Sequence, residues 1–259
     1  MHWFAVFLYL YALGTAGAMS YVPEKAIGRT FFRFHLLLIA AMVVLATILG
    51  RPFFGPAPSS SLGLCANVAA IALLVTTLLV SAVARVARAP LRPDFLLLPV
   101  STGLMFAVFE AAGRAGINAG GLLLAVHLVT CAAVLGTALV AMILGHWYLQ
   151  DATLSFEHLV GLTRWFVIAC VVKLVVSAIC FARQFDHFSP LVWEFDGIYL
   201  WTRLLGGGLF GLVLALMAWS CAKSKSNQSA TGILYVAVMF VLVGEIMSMY
   251  LTLGKNTWL

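Results

Sequence analysis

Five ionisable residues interrupt otherwise apolar stretches of this chain: Glu110, His127, Lys173, Arg203 and Glu245. A charge near the centre of a bilayer costs at least ~2.5–3.5 kcal/mol, so such side chains face the interior of a helix bundle and pair with one another. The signs permit pairing, with Glu110 and Glu245 offsetting Lys173 and Arg203 and His127 left to titrate. A lysine and a carboxylate held together in low dielectric exchange a proton readily. Lys173 with Glu245 is therefore the leading candidate for a proton path, or for the wall of an anion- or quinone-binding cavity. Two plainer readings compete. The same charges would serve as an inert ion-pair network fixing helix register, and Glu110 and Arg203 are long enough to snorkel to the interface.

A second group is built on histidine: His35, His146-Trp147-Tyr148 and His158, with Asp151, Arg33 and Arg164 close in sequence. His-Trp-Tyr offers a titratable donor, a flat apolar wall and a phenol, which suits a quinone ring bearing two carbonyl oxygens. Polar anchoring of helix ends is the competing role. Facing histidines also bind b-type haem. His127 and His146, however, stand 19 residues apart, too far for the one-helix pair of a bis-haem membrane cytochrome, so haem b is not expected. Quinone is the cofactor class expected, with nothing bound covalently. The five cysteines (Cys65, Cys131, Cys170, Cys180, Cys221) lie in apolar runs without CxxC spacing, as buried free thiols do, and no metal site is expected.

The elements that must position these residues follow from composition. The chain has 259 residues, 63% hydrophobic and 9% charged, with mean hydropathy +1.07, whereas soluble domains carry about a quarter charged residues. Its apolar runs of roughly 20 residues are long enough to cross a ~30 Å hydrocarbon core as helices, and they lack the alternation of a membrane β-barrel. The expected fold is an all-α integral membrane bundle of eight spans, near 3–21, 31–50, 63–84, 94–113, 119–147, 159–182, 197–221 and 231–253. The opening segment, Met1-His2-Trp3-Phe4 onward, has no basic lead-in and reads as the first span, not as a cleaved signal. No loop is long enough to form a domain, so residues 1–259 are expected to make one polytopic membrane domain.

Charge fixes the expected orientation. Lys25, Arg29, Arg33, Arg85, Arg88, Arg92, Arg164, Lys223 and Lys225 fall on one side of an eight-span bundle; Arg51, Arg114, Arg183 and Lys255 fall on the other. By the positive-inside rule the first set is cytoplasmic, which puts both termini on the outer, periplasmic side of a bacterial inner membrane. Trp3, Trp147, Trp165, Trp193, Trp201 and Trp258 lie near span ends, where indole rings favour the headgroup region. A faint repeat, Leu13-Gly14-Thr15-Ala16 against Leu135-Gly136-Thr137-Ala138, relates residues 1–115 to 119–259 as two four-helix halves.

At 1.5 Å per residue, His127 lies about 12 Å and Arg203 about 9 Å below the outer ends of their spans, and Lys173 and Glu245 each about 21 Å above the inner ends. With Glu110 near its outer end, five charges from five helices share an outer layer. The histidine group maps to the inner face. Gly206-Gly207-Gly208 sits within an apolar run and marks close helix approach or a local break. Pro99 is expected to kink the fourth span below Glu110. The segment from Asp186 and His187 to Glu194 and Asp196 is an outer acidic loop, more plausibly solvated than metal-binding.

The net charge of +6 speaks for anionic lipid headgroups and not for nucleic acid. The expected function is a non-catalytic membrane subunit of a respiratory or other redox, electron-transfer complex, supplying quinone contact, proton transfer and scaffolding beside cofactor-bearing partner subunits. The alternative is a small-solute or ion secondary transporter. An intramembrane enzyme is disfavoured because no nucleophile, metal set or nucleotide motif is present in the sequence.

Overall fold

The computed structural model describes residues 2–50, 60–86, 93–150, 155–184 and 197–255. Arg51, Arg88, Arg92, Asp151, Trp193, Trp258 and the acidic segment 185–196 lie outside the described residues. Among the described residues all regular structure is helical, and eight helices have the length and apolarity to cross a membrane. They are α1 (His2–Ser20), α2 (Arg29–Gly50), α3 (Ser61–Val86), α4 (Leu97–Ala115, entered by a 3₁₀ turn over Pro93–Leu96), α5 (Ala119–Gln150), α6 (Glu157–Arg183), α7 (Gly197–Lys223) and α8 (Asn227–Gly254). The protein is a multi-pass, all-α membrane bundle. Each helix falls within a few residues of its expected span, because a span's length is set by the hydrocarbon it crosses.

The exposed side chains carry the membrane signature. On α3, Leu64, Val68, Val75 and Leu79 are each about half exposed or more. Their spacing of four, seven and four residues puts them on one helix face. In water this apolar stripe would be a liability; against acyl chains it costs nothing. By contrast α1 is buried without interruption from Ala5 to Ala16, which covers every side of the helix and marks it as a core element.

The chain divides into two compact units, Met1–Ala132 and Ala133–Leu259. The division falls inside α5, whose 32 residues extend about 48 Å, well beyond the hydrocarbon thickness. In the first unit α1 packs on α2 and α4, and α3 packs on α2 and α4. Small residues and hydroxyls make these contacts. A β-carbon on Gly113 would meet the backbone of Gly63, and one on Gly103 would press on Leu13. Tyr9 and Thr47 share a 3.0 Å hydrogen bond between α1 and α2, and Thr76 and Thr102 one of 3.2 Å between α3 and α4. Since lipid is as apolar as the helix surface, such close packing and polar links hold membrane helices together. Pro99 occupies the first turn of α4, directly after the 3₁₀ segment. Its missing N–H belongs there to a group with no partner inside the helix, so the ring enters without breaking the bonding ladder it was expected to kink.

In the second unit α7 packs on both α6 and α8. Its middle, Thr202–Phe210, is a π-helix, in which Gly211 N–H donates to Gly206 O five residues back. Gly206-Gly207-Gly208 lies in this widened stretch, so the glycine run neither continues an ordinary helix nor breaks it. A β-carbon on Gly207 would come within 2.5 Å of Gly244 Cα. The backbones of α7 and α8 therefore touch at Gly207 and Gly244, a separation that no other residue pair permits.

Candidate functional site

The glycine contact explains how the buried charges of the second unit meet. Arg203 lies one π-helical turn before Gly207, and Glu245 follows Gly244 directly, so the point of closest approach between α7 and α8 carries both side chains into one place. Arg203 Nη2 stands 3.4 Å from Glu245 Oε1, and Lys173 Nζ on α6 stands 3.4 Å from Glu245 Oε2. Each carboxylate oxygen thus faces one cation. Ser177, four residues after Lys173 and on the same face of α6, accepts a 3.0 Å hydrogen bond from Arg203 Nη2. The three charged side chains are at most 3% exposed. Arg203, which on length alone was able to snorkel, is buried inside the protein.

The three side chains differ in what they are able to do. Arginine does not release its proton within a protein, so Arg203 is a fixed positive charge. Lysine and glutamate both exchange protons. At 3.4 Å the two ion pairs are longer than the ~2.7–2.9 Å of a tight charge-assisted hydrogen bond. Arg203 Nε is buried and meets no acceptor among the described residues. A buried N–H of this kind needs an oxygen acceptor.

The other members of the expected outer layer belong to the first unit. Glu110, in the last two turns of α4, accepts from Arg114 Nε at 2.7 Å and lies 3.0 Å from His2 Nε2. The side chains of these partners are 27% and 53% exposed, so this carboxylate is held at the rim of its unit. His127 is fully buried in α5.

The histidine group separates in a similar way. Side chains two apart on a helix point about 200° from each other, so His146 and Tyr148 do not share a face. Tyr148 is buried and donates to Ser155 O at 2.6 Å. His146 is exposed; its Nδ1 lies 3.1 Å from Tyr235 Oη on α8 and its Nε2 3.3 Å from Gln150 Nε2. The phenol beside His146 is therefore that of Tyr235. Trp147 and His158 are half-buried. His35 is fully buried in the first unit, its Nδ1–H donating to Phe31 O at 2.9 Å, and its Nε2 meets no partner among the described residues. Among the described residues no group of three or more metal-ligating side chains occurs.

Sequence reasoning missed Ser177, Gly244 and Tyr235. A serine, a glycine or a tyrosine in a membrane helix carries no charge signal, and its importance comes from what stands opposite. Glu110 was expected to offset Lys173 or Arg203 and instead pairs with His2 and with Arg114, an i, i+4 neighbour whose spacing could have suggested it. No protein-family profile, curated protein or solved structure matches this chain.

Proposed function

We propose that this protein is a non-catalytic membrane subunit of a redox complex, residing in a bacterial inner membrane with both termini outside, and that its second unit carries protons through Lys173 and Glu245. The observation behind this reading is the buried cluster itself. A lysine and a glutamate stand 3.4 Å apart inside a membrane unit, beside an arginine that holds its charge. Transfer of one proton from Lys173 Nζ to Glu245 Oε2 converts the ion pair into a neutral amine and a neutral acid, and return of the proton resets it. Arg203 provides constant charge while its two neighbours change theirs, and its free Nε–H offers a place for a water oxygen in the relay. The exposed His146–Tyr235 pair at the opposite depth is the candidate contact for a quinone headgroup, with one nitrogen and one phenol to bond the ring oxygens. Cofactor-bearing subunits are the partners this role requires.

A second reading, a secondary transporter of a small solute or ion, draws on the π-helical stretch of α7 beside a buried charge, since transporters place irregular helix segments at their binding sites.

The decisive variant is Lys173→Met. It removes the proton-exchanging cation yet leaves Arg203 opposite Glu245, so the fold should survive. Proton-coupled activity of the assembled complex should fall at least about tenfold, since positioned proton transfer contributes ~10²–10⁴. Unchanged proton release per electron in the variant would defeat the relay. Extraction in mild detergent separates the two functions: the subunit role requires copurification in fixed ratio with cofactor-bearing chains, whereas a solitary protein that moves solute into liposomes is a transporter.

A further inference from the structure

The first unit holds a pocket of about 20 Å³ between α2 and α3, lined by Arg33, Leu36, Leu37, Ser81, Ala84 and Arg85. A volume of this size admits one water or one phosphate oxygen. Three observations identify what it binds. Ser81 is only 8% exposed, yet its Oγ meets no hydrogen-bond partner among the described residues, and it lines the pocket. Arg33 donates from Nε to Ala84 O at 3.3 Å and from Nη2 to Arg85 O at 3.4 Å. These bonds fix the guanidinium against the last turn of α3 while using two of its five N–H groups. Third, neither Arg33 nor Arg85 has a carboxylate at ion-pair distance among the described residues, whereas nearby Arg29 is paired with Glu24 at 3.5 Å.

Two arginines and a buried hydroxyl thus line a space the size of an oxygen atom. The end of α3 opposes an anion through its carbonyls, but those carry only about half a charge and Arg33 already binds two of them. Two full guanidinium charges prevail. Leu37 is 56% exposed at the pocket edge, so an apolar chain leaving the pocket runs directly along lipid-facing helix surface. This end of the helices also bears Lys25 and Arg29, the side where anionic headgroups gather.

We infer that Arg33, Arg85 and Ser81 form a binding site for the phosphate of an anionic phospholipid, with the first acyl carbons lying against Leu36 and Leu37. The site is distinct from the charge cluster of the second unit and does not depend on its function.

Native mass spectrometry of the full chain in detergent, titrated with palmitoyl-oleoyl-phosphatidylglycerol, palmitoyl-oleoyl-phosphatidylcholine or inorganic phosphate, tests the assignment. One phosphatidylglycerol per chain should bind well ahead of phosphatidylcholine. Arg85 accepts from Arg33 only through its backbone carbonyl, which a substitution keeps, so Arg85→Gln should leave folding intact and weaken phosphatidylglycerol binding about fivefold, the value of one cation near a membrane surface. Ser81→Ala, which removes the buried hydroxyl without adding bulk, should weaken it by about threefold. Equal binding of the two lipids, or full affinity in both variants, would overturn the site. Saturation by inorganic phosphate at concentrations that displace the lipid would overturn the lipid assignment and leave a soluble anion in its place.

Discussion

The two units each bury a carboxylate against two basic side chains, and the partners differ in how far they are exposed. Glu110 takes His2 and Arg114, whose side chains are 53% and 27% exposed. Glu245 takes Lys173 and Arg203, exposed 3% and 1%. The residue types are nearly the same, but the surroundings reverse the energetics. Around Glu110 the exposed partners leave the pairing open to screening, so it adds less than a fully enclosed one. In the interior each charge has lost its hydration, and the cluster survives because every member compensates another. A buried network of this kind is weak evidence for stability and better evidence for a task that requires charge in the membrane.

The comparison can be broken most forcefully at Glu245. Glu245→Gln strands two buried cations and should cost about 3–5 kcal/mol, read as a lowered midpoint of unfolding in mixed micelles. Near-wild-type stability would mean that the second unit tolerates charge as easily as the rim. Gly207→Val comes next. Its side chain strikes the backbone of Gly244, so α7 and α8 must separate, at about 1–3 kcal/mol. The same shift draws Arg203 from Glu245, and the proton activity proposed for Lys173 should fall with it. Retained activity in a stable Gly207→Val protein would show that the glycine contact does not position the cluster. Smallest is Glu110→Gln, expected to cost under about 1 kcal/mol and to lose even that in high salt. A loss at Glu110 as large as that at Glu245 would erase the distinction between the units.

How far the sequence reached can be followed residue by residue. All eight helices were legible because a membrane span is defined by length and apolarity, both linear properties of the chain. Counting residues at a fixed helical rise also placed Lys173, Arg203 and Glu245 at a common level, and these three side chains do meet. The same arithmetic also put Glu110 and His127 at that level, where the structure gives Glu110 its partners from the first unit. Depth sets how far along the normal a charge lies and says nothing of its direction around the helix. His146-Trp147-Tyr148 illustrates this: three neighbours in sequence suggested one site, and the helical twist sends Tyr148 to Ser155 while His146 meets Tyr235.

The sequence by itself therefore determined the class of the protein, its spans and how far along each span an embedded charge lies. Only the tertiary structure decided the partners. It did so through short-range contacts between helices remote in sequence, above all Gly207 against Gly244, where two residues without side chains let two backbones touch. Which helix faces which is a matter of packing, and packing is written in pairs of residues that no single stretch of chain contains.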